Sequence, residues 1–191
     1  HDLIPFDFEA FRESELHFWA GVTDCDTGAI RFIEKREQED FLKVCRASSS
    51  IPVMNQPVEI DGRYYVDGGI ACAVPLFEDI PCQCDKLVMV LTRHKGYRKN
   101  PVPEAMQKLY RRHFRSAPGL VDRLVTAPQR YNERMDRIDA LEEEGRVFVI
   151  RPRKPVTVSR IEKDVEKLTS LYHEGRRDAE FAYRDLLAFL G

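Results

Sequence analysis

The chain is expected to fold as an α/β protein, and three observations predict it. Two nearly continuous apolar runs, KLVMVLT at 86–92 and RVFVI at 146–150, are bounded by polar residues and have the length of strands covered on both faces. Between them lie two stretches of helical periodicity, giving the order strand, helices, strand. Nearer the N-terminus, runs rich in aromatic and β-branched residues are joined by short segments containing Asp and Gly, the signature of hairpins.

Taken in order, HFWAGVT and AIRFIEK read as two strands connected through DCDTG at 24–28. REQEDFLKVCRAS follows, with Phe41, Leu42, Cys45 and Ala47 spaced for a short amphipathic helix that ends near Ser48–Ser50, because Ile51-Pro52 forbids its continuation. Val58 and Ile60 precede the Asp61-Gly62 turn, and Tyr64, Tyr65 and Val66 follow it, predicting a second hairpin. Helices are expected from about Pro103 to Ser116 and from about Gly119 to Glu144, the second closed by Gly145 in a left-handed terminus. Ser159-Arg-Ile-Glu162 has the spacing of a capping box and is expected to open a helical region reaching about Leu190. The 191 residues are expected to form a single unit, with no internal repeat, low-complexity tract or linker.

Composition excludes several classes. Lysine and arginine total 30 against 32 aspartates and glutamates, so there is no global reason to expect a nucleic acid or strongly acidic partner. No apolar run approaches the roughly 20 residues of a membrane span, and no leader pattern opens the chain, which points to a soluble, cytoplasmic protein. Five cysteines, an odd number, suggest reduced thiols rather than a disulfide framework. Cys82 and Cys84 form a C-x-C pair without a second pair or histidine cluster at zinc spacing, so neither metal nor cofactor is expected.

Four features could carry chemistry. Asp24-Cys-Asp26-Thr is similar to, without matching, the D-x-D-x-T of haloacid-dehalogenase-like phosphotransferases, but the G-D-x-x-x-D magnesium element is missing and the context is a hairpin turn. KLYRRHFR at 108–115 clusters Lys108, Arg111, Arg112 and Arg115 along one side of a helix, where a solvated face is the simpler reading. His94 follows a strand at the end where α/β proteins collect ligands, and stands alone. Asp67 ends a strand of aromatic and β-branched residues and is followed by Gly68 and Gly69, which let the chain turn sharply and leave a carboxylate approachable.

Context makes Asp67 specific. The order A-S-S-S-I-P at 47–52, the P-V-E-I-D-G-R-Y-Y hairpin, Asp67-Gly68-Gly69 and Val74-Pro75 resembles the patatin-like phospholipase family, in its bacterial members. Pro5-Phe6-Asp7, Thr23-Asp24 with Thr27-Gly28, KLVMVLTR with Gly96-Tyr97-Arg98-Lys99, and VFVIRP with Leu171-Tyr172 and Gly175 extend the resemblance through nearly the whole chain. It implies the C-terminal part of a three-layer α/β/α fold with a central sheet: a patatin-like portion over about 1–100, then a helical region with one further strand over about 101–191.

The resemblance also implies a function. In that family a Ser-Asp dyad hydrolyses acyl esters, and by position the aspartate is Asp67, supported by Gly68 and Gly69. The partner serine sits in G-x-S-x-G on a strand-to-helix elbow, and a glycine-rich loop supplies oxyanion amides. Neither is here: none of Ser14, Ser48, Ser49, Ser50, Ser116, Ser159 and Ser170 lies in G-x-S-x-G. With His1 rather than methionine at its start, the chain is expected to be the C-terminal fragment of a patatin-like serine acyl hydrolase, inactive alone. The alternative is a non-catalytic lipid- or protein-binding module on the same scaffold. Expected partners are a lipid or other acyl ester, the missing N-terminal part and further copies of the fragment; transient membrane contact is compatible with that substrate class.

Overall fold

The computed structural model describes residues 6–159 and 161–191. They are mixed α/β, as expected, and fall into two compact units. The first comprises the chain as far as Pro75 together with Pro101–Gln129; the second comprises Leu76–Asn100 and Arg130–Gly191.

The first unit opens with a six-residue helix α1 (Phe8–Glu13), capped by Asp7, whose carboxylate accepts from the Ala10 amide. Strands β1 (Trp19–Asp24) and β2 (Ile30–Glu34) form the first hairpin. Helix α2 (Phe41–Ser48) starts later than its polar prelude suggests, because the Asp40 side chain accepts from the Lys43 amide and fixes the N-terminus there. The second hairpin joins β3 (Val58–Ile60) to β4 (Arg63–Asp67). Its two turn residues, Asp61 and Gly62, have φ of 51° and 74°, the left-handed pair that matches strand twist in a two-residue loop. The sheet order is β2-β1-β4-β3, antiparallel throughout.

Both faces of this sheet are covered. On one, Ala20, Val22, Val58, Ile60 and Tyr65 pack with Phe41, Val44 and Ala47 of α2. On the other, Val66 and Cys25 pack with Phe114, Leu120, Val121 and Leu124. Those residues follow or belong to helices α3 (Glu104–His113) and α4 (Pro118–Glu143), which occupy the predicted positions. Helix on sheet on helix is the smallest arrangement that buries both sheet faces.

In the second unit β5 (Leu87–Val90) pairs with β6 (Val147–Ile150), parallel and in register from Leu87↔Val147 to Val90↔Ile150. Gly145, at φ 70°, ends the preceding helix as expected. The expectation that these strands are covered on both faces is overturned: Met89 is buried, but Val88 is 37% and Val90 74% exposed. A sheet of two four-residue strands is a single narrow ribbon, and the helix that packs on it, α5 (Val165–Leu190), meets β6 through Phe148 and Phe189 and leaves β5 open.

The capping box at Ser159 is also corrected. Helix α5 begins five residues later, capped by Asp164, whose carboxylate accepts from the Glu166 and Lys167 amides. Glu162 does not reach back; its carboxylate turns forward to the amides of Lys163 and Asp164. Arg160, inside the expected box, lies outside the described residues. No described helix is long and apolar enough to cross a membrane.

Candidate functional site

Asp67 closes β4 and is anchored from three segments. Its amide donates to the Ser50 carbonyl beyond α2 (3.0 Å). Its carbonyl accepts from the Thr23 hydroxyl of β1 (2.8 Å), and the same hydroxyl accepts from the Ala71 amide (3.1 Å). Thr23 is fully buried, so one side chain bridges the strand end and the turn that follows. Pairing with β1 places Asp67 opposite Val22.

The two glycines have different physical roles. A Cβ on Gly68 would stand 2.2 Å from the Gly21 carbonyl oxygen, so the 3-10 turn Gly68–Ile70 lies directly against the β1 backbone. Gly69 instead donates its amide to Asp67 Oδ1 (2.8 Å), capping the turn. The carboxylate is half-buried, and Oδ2 has no protein partner among the described residues. The arrangement presents one carboxylate oxygen from a backbone that cannot shift without disturbing Gly21, Thr23 and Ser50. A group held in this way can accept a proton at Oδ2 with little reorganisation.

Two serines that follow α2 have their hydroxyls engaged on backbone carbonyls. Ser50, 1% exposed, spends its hydroxyl on the Arg46 carbonyl (2.7 Å), and Ser49 donates to the carbonyls of Cys45 and Arg46. Thr23, Ser50 and Gly21 are the supporting residues, a role that the sequence did not reveal for any of them. The small-residue run around Ser50 and the Thr23-Asp24 pair carried a visible signal, as parts of the family resemblance.

The other candidates have structural explanations. Asp24 is buried and its Oδ1 accepts from the amides of Asp26 and Thr27 and from the Thr27 hydroxyl, while Oδ2 pairs with Arg63 at 2.9 Å. That is the bonding of a hairpin turn. Burial, with Asp24 and Asp26 close by, pushes the Cys25 thiol up to about 11. Lys108, Arg111, Arg112 and Arg115 are all exposed, as a solvated face requires. His94 packs edge-on to Tyr97, with a buried Nδ1 that makes no hydrogen bond among the described residues. No group of three or more His, Cys, Asp or Glu side chains among the described residues is placed to hold a metal ion.

The first unit also contains an apolar cavity of about 760 Å³. Its walls are aromatic, Phe6, Phe8, Phe11, Phe18 and Phe41, with Leu42 beside them. Lys35 closes one side, its buried ammonium donating to the Phe11 and Ser14 carbonyls at 2.6 and 2.7 Å.

Comparison with known proteins bears on both ends of the chain. A search of curated proteins gives no match. Residues 117–191 match the family model described as Domain of unknown function (DUF6363). Residues 2–80, which include β1 to β4, the D-G-G turn and Asp67, match the model of the Patatin-like phospholipase family. The similarity to the Patatin-like phospholipase model thus covers residues 2–80, less than half of the chain, and includes Asp67.

Proposed function

We propose that this chain supplies the general base of a serine acyl hydrolase, with Asp67 Oδ2 as the proton acceptor. One observation carries the reading: within the family-matched segment, Asp67 presents a carboxylate oxygen that has no partner among the described residues, from a rigidly braced strand end. The nucleophilic serine and the oxyanion amides belong to a segment outside these 191 residues. The serine hydroxyl attacks the ester carbonyl while Asp67 takes its proton directly. Collapse of the tetrahedral species breaks the ester C–O bond, the alcohol leaves with that proton, and an acyl-serine remains. Water then attacks the acyl carbon, Asp67 accepting its proton and returning it to the serine oxygen as the acyl C–O bond breaks, and the carboxylic acid is released. The 191 residues alone do not hydrolyse esters.

The test is Asp67→Asn in the full-length protein, assayed on a short acyl ester. Asparagine Oδ1 can accept the Gly69 amide as aspartate does, so folding is retained, while loss of the base lowers turnover by about 10²–10⁴-fold. Turnover near the parent's value would make Asp67 a structural cap and nothing more.

A second reading is favoured by the aromatic cavity, which could hold an acyl chain without chemistry on it. In that case the protein is a lipid-binding module. The encoding gene upstream of His1 separates the two: a G-x-S-x-G elbow and a glycine-rich loop belong to the hydrolase, and their absence to the module.

A further inference from the structure

The second unit holds a cleft of about 590 Å³ at the carboxyl ends of the parallel strands β5 and β6. This is the end at which α/β proteins collect ligands, and the volume falls in the usual range for small-molecule sites, about 300–1,000 Å³. The floor is apolar, formed by Val90, Leu91 and Ile150, with Leu171 of α5 at its side.

The polar wall is not neutral. Arg151 is consumed by two carboxylates, Asp139 at 2.8 Å and Glu142 at 2.7 Å. Arg153, Lys154 and Arg177 remain in the lining with Glu174 and Asp178, one positive charge in excess at the cleft wall; of the two carboxylates on Arg151, Glu142 is shared with Lys95 outside the cleft. Arg153 is fixed in place, its amide donating to Asp178 Oδ2 (3.1 Å) and its guanidinium lying 4.1 Å from the Phe181 ring centroid. Lys154 and Arg177 have no ion-pair partner among the described residues.

Gly175 supplies an independent indication. It lies inside α5, where glycine costs about 1 kcal/mol relative to alanine, and it borders the cleft. A Cβ there would meet no atom within 4 Å. Helix packing therefore does not call for glycine; its effect is to keep the cleft open along that side.

We propose that this cleft binds a single-chain fatty carboxylate, its head on Lys154 and Arg177 and its chain over Val90, Ile150 and Leu171. A single surplus cation suits a monoanion better than a doubly charged phosphate monoester. The assignment uses no residue of the 2–80 segment, so it stands or falls independently of the hydrolase reading.

The experiment is isothermal titration of the full chain with sodium dodecanoate below its micelle concentration. One molecule binds saturably; Lys154→Gln with Arg177→Gln weakens it by at least about tenfold, on the order of one lost charge-assisted bond. Gly175→Leu fills the cleft from a helix position without neighbours and weakens binding as strongly, with far-ultraviolet circular dichroism and thermal unfolding unchanged. Three results would overturn the proposal: no saturable binding; binding that survives both variants, such as binding lost only on Phe8→Ala with Phe18→Ala in the aromatic cavity; or dodecyl phosphate bound as tightly as dodecanoate.

Discussion

Gly68→Ala is the most direct probe of how Asp67 is placed. The added methyl carbon would lie 2.2 Å from the Gly21 oxygen, 2.4 Å from the Gly21 carbonyl carbon and 3.0 Å from the Val22 nitrogen. All three are backbone atoms in the middle of β1, which is paired on both sides, so none can swing aside. Relief requires β1 and the D-G-G turn to separate by about 1 Å, which strains the Thr23 bridge. Overpacking of this kind typically costs 1–3 kcal/mol, and backbone against backbone belongs at the upper end, about 3 kcal/mol. For a chain of this size that is a fall in Tm of about 6 °C or more. Gly69→Ala is the matched control. Its methyl would stand 3.1 Å from Asp67 Oδ1, a side-chain atom able to give way, and the expected change is under about 1 kcal/mol. Differential scanning calorimetry of the two variants decides the matter. Equal Tm values would refute the claim that contact with Gly21 dictates the first glycine.

Other expectations follow from the same geometry. Thr23→Val keeps the volume but removes the hydroxyl that serves the Asp67 carbonyl and the Ala71 amide; urea denaturation should report a loss of about 1–3 kcal/mol, and an unchanged midpoint would show the bridge to be idle. At any pH well below 9, Cys25 should carry about 100-fold less thiolate than an unperturbed thiol, so Ellman's reagent labels exposed Cys82 and Cys84 first and Cys25 only on unfolding. The sign of the linked stability term follows. A thiol pKa raised on folding from 9.0 to about 11 favours the folded state below pH 9, and that advantage is lost as pH rises from 9 through 11. Cys25→Ala should therefore flatten the stability profile between pH 9 and 11, and an identical slope in both proteins would contradict the assignment.

Much of the fold was legible because its signals are local. Asp61-Gly62 specifies a two-residue loop through backbone conformations that other residue pairs adopt poorly, and Gly145 stops a helix by the same logic. Asp67 could be singled out for a similar reason, since a carboxylate followed by two glycines is a local pattern. What braces it was not legible: Gly21 and Thr23 lie more than 40 residues upstream, and although Thr23-Asp24 shares in the family resemblance, no local pattern pairs either residue with the D-G-G turn. The misplaced start of α5 has a different cause. Ser159 and Asp164 are both competent caps, and the choice is made by which way the Glu162 carboxylate points, a rotamer that spacing does not encode. The open face of β5 shows the limit of hydropathy: a continuous apolar run specifies a strand, while coverage depends on how many neighbours the sheet has.

The alternation along β4 has a further consequence. Tyr65 enters one core and Val66 the other, so the two sides of this strand demand side chains of very different volume. A slip of one position would thrust a phenol into a valine-sized space and leave a void where the phenol had been. The strand's parity is thus checked twice, once by each core, and only one frame satisfies both. Asp67, two positions beyond Tyr65, inherits that frame, and its aim is decided by residues that never touch its carboxylate.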